Sequence, residues 1–199
     1  MDRDTELAIV ARLRRADASA FDEVHARYHT ALVTFLARLA RDRDVAEDLV
    51  EETWLRLVKH CRRLHTDTRL APWLFTVARR VFLSYRRSRM VEDSAAAGLL
   101  ALWPYTAERT SPFEATAASE LERRLERALA SLPASSREVL LLVAVAGLDS
   151  SDAADVCGIT PEALRQRLHR AREALAAAVA AQDAAARAIR LGALTCPTR

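Results

Sequence analysis

The sequence is poor in the residues that end helices and build sheets. It contains only 4 glycines among 199 residues, and no stretch alternates apolar and polar residues over the length of a strand. Alanine, leucine, arginine and glutamate dominate, and these residues favour the α-helix. With 51% hydrophobic residues the chain can bury real cores. We therefore predict an all-α protein made of two small helical domains.

Cysteines and long apolar runs are also scarce. The 3 cysteines, Cys61, Cys157 and Cys196, have no C-x-x-C spacing, which argues against a disulfide framework and a zinc site. We predict no metal and no cofactor. The first fifteen residues are charged from the second residue onward, and no apolar run approaches the length of a membrane span. These features predict a cytoplasmic protein with no membrane partner.

Lysine occurs once, at Lys59, although the chain has 30 basic residues and a net charge of +3. The basic character is therefore almost wholly arginine, whose planar guanidinium suits bidentate recognition of phosphate and guanine. Clustered arginines would indicate a nucleic-acid partner, so their positions matter more than their number.

The C-terminal part of the chain has the pattern of a helix-turn-helix. A short helix begins after Asp149, Gly158 supplies the turn, and Thr160 with Pro161 begins the second helix. Its apolar face consists of Leu164, Leu168, Ala171 and Leu175. The opposite face carries Glu162, Arg165, Gln166, His169 and Arg172. Guanidinium and amide groups on one face are what a helix needs to read guanine and adenine in a major groove.

The N-terminal half predicts three amphipathic helices, over about Thr5 to Arg15, from a Ser19 cap, and from Asp44. In the third, the expected inward residues are Val45, Leu49, Val50, Trp54, Leu57 and Val58. Its other face gathers Asp44, Glu47, Asp48, Glu51 and Glu52. Such a face can be a solvated surface, a contact for a basic protein, or a cluster of metal-binding carboxylates. The residues alone leave these three interpretations open.

A basic and aromatic segment follows, with Pro72 in the first turn of a helix. Its arginines are Arg79, Arg80, Arg86, Arg87 and Arg89, and its aromatic residues are Trp73, Phe75, Phe82 and Tyr85. Positive charge for a backbone and rings for unpaired bases are the ingredients of single-strand binding. The alternative is a basic helix whose rings are simply buried.

The periodicity is lost between residues 91 and 114, which predicts a linker. A helical period returns at about residue 115 and ends before Pro133, after which a new helix can begin. The run VLLLVAVA fits a buried strand or a buried helix by its period alone. We predict a helix, because no partner strand exists elsewhere in the sequence. Residues 181–199 form a tail to which the sequence assigns no function.

From about Leu7 to Leu175 the chain resembles the extracytoplasmic-function class of bacterial RNA polymerase sigma factors. The first half is similar to sigma region two in AFDEVHARYHTALVTF, DVAEDLVEETWLRL and APWLFTVARR. The second is similar to region four in LERALASLPASSREVLLL and TPEALRQRLHRAREAL. The predicted organisation is a region two domain over 1–90, a linker over 91–114, a region four domain over 115–180 and a tail.

The resemblance implies a non-enzymatic factor that binds core RNA polymerase, reads two promoter elements and assists strand opening. The implied polymerase-binding residues, which would contact the clamp helices of the largest subunit, are Asp44, Glu47, Asp48, Glu51 and Trp54. Those implied for the melted downstream element are Trp73, Arg79, Arg80, Tyr85, Arg86 and Arg87. Those implied for the upstream element are Thr160, Glu162, Arg165, Gln166, Arg167, His169 and Arg170. The flap of the second-largest subunit and an anti-sigma protein are further partners that the resemblance allows.

Several positions depart from the family pattern. Glu51 stands where glutamine is common and Arg80 where asparagine is frequent. SSDAAD replaces a commonly larger and more aromatic stretch, and Ala163 lacks the hydroxyl or amide often found near the start of the recognition helix. Two other functions remain to be weighed. A stand-alone helix-turn-helix regulator would not explain the acidic helix or the basic and aromatic segment. A metal-dependent nucleic-acid enzyme lacks the expected ligand spacing and a phosphate-binding glycine loop.

Overall fold

The computed structural model describes residues 2–99 and 120–194. The helices are α1 (Arg3–Arg14), α2 (Ala18–Ala40), α3 (Arg43–His60), α4 (Leu70–Leu99), α5 (Glu120–Ser131), α6 (Ala134–Ala144), α7 (Ser150–Cys157) and α8 (Pro161–Leu194), and a 3-10 turn, Cys61–Arg63, follows α3. These described residues contain no strand. The predicted all-α class is confirmed.

The predicted helix starts are confirmed at α7 and α8 and lie one or two residues away from the observed starts at α1, α2 and α3. Asp149 accepts a hydrogen bond from the backbone N–H of Asp152 at 2.8 Å, and Thr160 accepts one from that of Ala163 at 3.2 Å. The prediction of a Ser19 cap for α2 was wrong, because the Asp17 carboxylate accepts from the Ser19 N–H at 2.9 Å. Asp42, rather than Asp44, caps α3 in the same way. In both cases an aspartate two residues upstream satisfies the first free N–H groups.

The first domain is built around α2, which packs against α1, α3 and α4. Its centre is the edge-to-face pair of Phe35 on α2 and Phe75 on α4, with 5.3 Å between ring centroids. Buried leucines from all four helices belong to the same core cluster as this pair. Burial of these side chains, rather than helix propensity, holds the helices in place.

The prediction that Val58 faces inward from α3 was wrong. Val58 is 55% exposed, and Thr53 is buried in the inward stripe with Leu49 and Leu57. The Thr53 hydroxyl donates to the carbonyl oxygen of Leu49 at 2.7 Å, so its burial leaves no polar atom unsatisfied. Residue 58 lies one position beyond Leu57 and turns about 100° away from the core.

The apolar run of the second domain forms α6, as predicted. Its residues Val139 to Leu142 are all buried, because α6 packs against α7 and α8 and also against α2 of the first domain. Contact on several sides explains why this helix is apolar all round.

Helix α4 continues to Leu99, beyond residue 90 where the first domain is predicted to end. Most of the predicted linker lies outside the described residues. Within the described ranges, no helix combines the length and the apolarity needed to cross a membrane.

Candidate nucleic-acid and protein interfaces

The acidic face of α3, which we define as Asp44, Glu47, Asp48 and Glu51, is exposed. Glu47 pairs with Arg43 one turn earlier at 3.0 Å, and Glu52, on the flank of this face, pairs with Arg56 at 2.7 Å. Exposed pairs of this kind contribute little to stability. The carboxylates therefore lie on a surface that folding itself does not require.

Two large apolar side chains continue the acidic face toward the end of α3. Leu55 is 62% exposed and Val58 is 55% exposed. They follow Glu51 by four and seven residues, so they share its side of the helix. With Phe21, His25 and Trp54 they border an open groove of about 410 Å³. We call Leu55 and Val58 the apolar patch. Sequence reasoning missed it because Val58 was expected in the core, although the spacing from Glu51 could have indicated it.

Trp54 lies beneath this surface and is only 7% exposed. Its ring packs edge-on against Phe21 with 5.7 Å between centroids, and its indole N–H donates to Nδ1 of His29 at 3.3 Å. Of the residues predicted to bind polymerase, Trp54 is thus the one whose side chain holds α3 against α2. Its geometry suits a positioning role for the acidic face and the apolar patch.

A basic cleft of about 340 Å³ lies between the end of α3 and the start of α4. Trp73 and Arg80, both predicted to contact DNA, line it together with Arg56, His60 and Arg63. An aromatic wall with several cations can hold a phosphate backbone and an unpaired base. The sequence reasoning missed Arg56, His60 and Arg63, whose signal was the basic run at the end of α3.

The other residues predicted to contact the downstream element lie on different sides of α4. Arg86 is exposed with its guanidinium 5.8 Å from the Phe82 ring centre, and Arg87 is exposed on the same side of α4 as Arg80. Tyr85 is half-buried against the core. Arg79 faces the second domain, where it forms an ion pair with Glu138 at 2.8 Å. The predicted set therefore does not form one surface in this conformation.

The helix-turn-helix presents its second helix to solvent. Leu164, Leu168 and Ala171 are buried beneath α8. The exposed residues predicted to read DNA are Thr160, Glu162, Arg165, Gln166, His169 and Arg170, while Arg167 is half-buried. The αL conformation of Gly158, with φ of 67°, ends α7 and makes the turn. This places the start of α8 where a recognition helix needs it.

Glu162 organises the reading face in the free protein. Its carboxylate forms an ion pair with Arg165 and accepts a hydrogen bond from the amide of Gln166 at 3.3 Å. The hydrogen bonds from Arg165 and Gln166 lower the pKa of Glu162. The two side chains best suited to guanine and adenine are therefore held together by one carboxylate.

Comparison with known proteins finds one family match in each half of the chain. Residues 24–92 match the family Sigma-70 region 2, and residues 122–175 match Sigma-70, region 4. The ECF RNA polymerase sigma factor EcfG of Rhodopseudomonas palustris is 36% identical over 149 residues, which cover 74% of this chain and 78% of the relative. The RNA polymerase sigma factor CarQ of Myxococcus xanthus is 32% identical over 169 residues, or 82% and 91% of the two chains.

A solved structure of the sigma factor RpoE in complex with the anti-sigma factor NepR from Bartonella quintana is also similar. Its TM-score is 0.66 at 28% identity, and the match covers 80% of this chain and 96% of that one. CnrH, solved in complex with the cytosolic domain of CnrY, has the same fold, with a TM-score of 0.62 at 22% identity over 88% of this chain and 97% of that one.

The family matches in the two domains identify the chain as a sigma-70 type transcription factor. The chain belongs to the extracytoplasmic-function RNA polymerase sigma factors. It is therefore a transcription initiation factor whose partners are core RNA polymerase and promoter DNA. Sigma factors are a non-enzymatic family.

Proposed function

We propose that the acidic face and the apolar patch together form the surface that binds the clamp helices of the polymerase largest subunit. The observation that carries this proposal is the exposure of Leu55 and Val58 directly beside Glu51. Large exposed apolar side chains bordered by charges are typical of protein interfaces. Carboxylates beside them would steer a basic partner into place.

The basic cleft is proposed to hold the downstream promoter element after its strands separate. Arg80 and Arg63 would contact phosphates, and the ring of Trp73 would stack on an unpaired base. The cleft lies on the first domain, so polymerase binding and strand capture are carried by neighbouring faces of the same helices. The larger, charged Arg80 in place of the common asparagine would favour phosphate contact over reading a base.

The exposed face of α8 is proposed to read the upstream element in the major groove. Arg165 and Gln166 carry the groups for guanine and adenine, and Arg170 would contact a phosphate. The second domain that carries α8 would also meet the flap of the second-largest subunit. In this proposal the protein works in the cytoplasm and contributes recognition and strand opening, with no chemistry of its own.

An anti-sigma protein is a proposed further partner. The similar RpoE structure is a complex with the anti-sigma factor NepR, which supports a regulator of that kind for this chain. The apolar patch on α3 is an exposed surface on which such a regulator could compete with polymerase.

Run-off transcription tests the proposal. Core polymerase and the protein are mixed with promoters selected from genomic fragments that the mixture retains. We expect defined transcripts only when both proteins are present. A protein that binds selected duplex DNA but neither binds core polymerase nor directs transcription would be a stand-alone helix-turn-helix regulator, and the proposal would be wrong.

A further inference from the structure

The start of α4 is capped by a residue of α1. The backbone N–H of Trp73 donates to the carbonyl oxygen of Arg69 at 3.1 Å, so Arg69 occupies the N-cap position of this helix. The Arg69 side chain has no hydrogen-bond acceptor and cannot serve as the cap. The Glu6 carboxylate accepts from the N–H of Leu70 at 2.8 Å instead. The negative charge that the start of a helix favours therefore comes from a residue 64 positions earlier in the chain.

Arg3 ties the same carboxylate to the loop before α4, residues 64–69. Its guanidinium pairs with Glu6 at 2.7 Å and donates to the carbonyl oxygen of Asp67 at 2.6 Å. The Glu6 side chain is only 13% exposed, and Leu70 beside it is buried. A hydrogen bond to a charged group is stronger when it is partly withdrawn from water. We call Arg3 and Glu6 the α1 bracket.

The loop that the α1 bracket holds joins the two sides of the basic cleft. Leu64, at the start of the loop, and Trp73, at the start of α4, both line the cleft. Helix α1 also packs against the 3-10 turn Cys61–Arg63, which carries Arg63 on the α3 side of the cleft. Helix α1 therefore contacts the chain on both sides of the loop, and the spacing between Trp73 and Arg63 depends on it.

We propose that the α1 bracket positions the downstream element's binding site: the Glu6 cap holds the start of α4 so that the Trp73 ring is in place before an unpaired strand arrives. Binding then does not have to order the first turn of α4, a cost that would be subtracted from the affinity. Neither Glu6 nor Arg3 lines the cleft, so both act through the backbone that they hold. This inference rests on the proposed function of the basic cleft.

The test compares Glu6→Ala with Glu6→Gln in the full chain. Alanine removes the acceptor for the N–H of Leu70, whereas glutamine keeps a carbonyl oxygen. Both substitutions raise the net charge by one, which by itself favours binding to nucleic acid. The matched control, Glu23→Ala, makes the same charge change and breaks a link between α1 and α2, the 2.8 Å pair with Arg12. Fluorescence anisotropy measures binding of a labelled single-stranded oligonucleotide of mixed sequence, and circular dichroism verifies folding.

We expect Glu6→Ala to bind the single strand at least about fivefold more weakly than the control, the loss of a helix cap expressed as an affinity. Glu6→Gln should recover most of this loss, and amide hydrogen exchange at the start of α4 should be faster in Glu6→Ala alone. A lower affinity at a higher net charge cannot come from charge. A folded Glu6→Ala variant with the affinity of the control, or equal losses in the two Glu6 variants, would overturn the proposal.

A second pair of variants covers the case in which Glu6→Ala does not fold. Arg3→Ala removes the hydrogen bond to the loop from a side chain that is 43% exposed. Arg14→Ala, an exposed arginine of α1, makes the same charge change. Arg3→Ala should bind the single strand more weakly than Arg14→Ala, and equal affinities would overturn the proposal.

Trp73→Ala separates this inference from the proposed function of the cleft. If the cleft holds the strand, Trp73→Ala weakens binding as well. A loss in Trp73→Ala with the control affinity in Glu6→Ala would leave the function of the cleft intact and overturn the positioning role. Unchanged binding in Trp73→Ala would show that the strand does not use the cleft and would overturn both.

Discussion

The indole Nε1–H of Trp54 donates a hydrogen bond to Nδ1 of His29 across 3.3 Å and so joins α3 to α2. Only an imidazole with an unprotonated Nδ1 can accept this bond. His25 stacks on His29 with 4.5 Å between ring centroids. Burial, followed by the neighbouring His25, lowers the pKa of His29. The packing beneath the proposed polymerase surface therefore depends on a neutral histidine.

We expect the free energy of unfolding to decrease as the pH falls below about 6.5, the ordinary histidine pKa. The unfolded chain takes up a proton on residue 29 at a higher pH than the folded chain, and this difference favours unfolding until the pH passes below the folded-state pKa. Urea unfolding at a series of pH values across this range measures the free energy of unfolding. For His29→Gln this free energy should vary less with pH, because the glutamine amide can accept the hydrogen bond from the indole without titrating. A variant with the wild-type pH dependence would exclude His29 as the cause.

Asp48→Arg should weaken binding to core polymerase by about tenfold or more, because it places a cation against a basic partner. The isolated second domain does not contain α3, so its binding to the upstream element is a reference that this substitution leaves unchanged. Asp4→Arg, an exposed residue on α1, makes the same change of net charge. Equal losses for the two variants in a binding titration would mean that overall charge, rather than the acidic face, determines affinity.

Leu55→Ala separates binding from stability. Because Leu55 is 62% exposed, the free energy of unfolding should change by less than about 0.5 kcal/mol. Polymerase affinity should fall by about 1 kcal/mol or more if the side chain enters the interface. Leu125→Ala, which truncates an exposed leucine on α5 of the second domain, is the control and should leave polymerase affinity unchanged. An unchanged polymerase affinity for Leu55→Ala would remove the apolar patch from the interface.

Arg80→Ala should reduce transcription more on a fully paired promoter than on one with a mismatched, already open segment. The arginine faces the basic cleft beside Trp73, where its charge would stabilise separated strands. Arg15→Ala, an exposed arginine that follows α1, controls for the loss of one charge. An equal reduction on both templates would indicate a contact that does not assist opening.

Arg165→Ala should cost about 1–3 kcal/mol at one base pair of the upstream element if the guanidinium reads guanine. The measurement is affinity for a set of duplexes with single base-pair changes. Arg127→Ala on α5 removes the same charge from the same domain. A loss that is uniform over all duplexes would identify Arg165 as a phosphate contact instead.

Local sequence patterns were sufficient for the helix-turn-helix. The caps at Asp149 and Thr160, the glycine turn and the apolar stripe of α8 all involve residues within a few positions of one another. Their interactions therefore depend little on the rest of the chain. The exposure of the acidic face follows in the same way from the period of α3.

The sequence by itself determined the all-α class, the helix-turn-helix and the exposed carboxylates of α3, because short-range hydrogen bonds and helical periodicity decide them. Only the tertiary structure decided that Thr53 lies inside while Val58 lies outside, since neighbouring helices set the rotation of α3. It alone brought Arg63 and Arg80 into one cleft. It alone placed Arg79 against Glu138, because a contact between residues 59 positions apart depends on how the domains pack and leaves no local pattern.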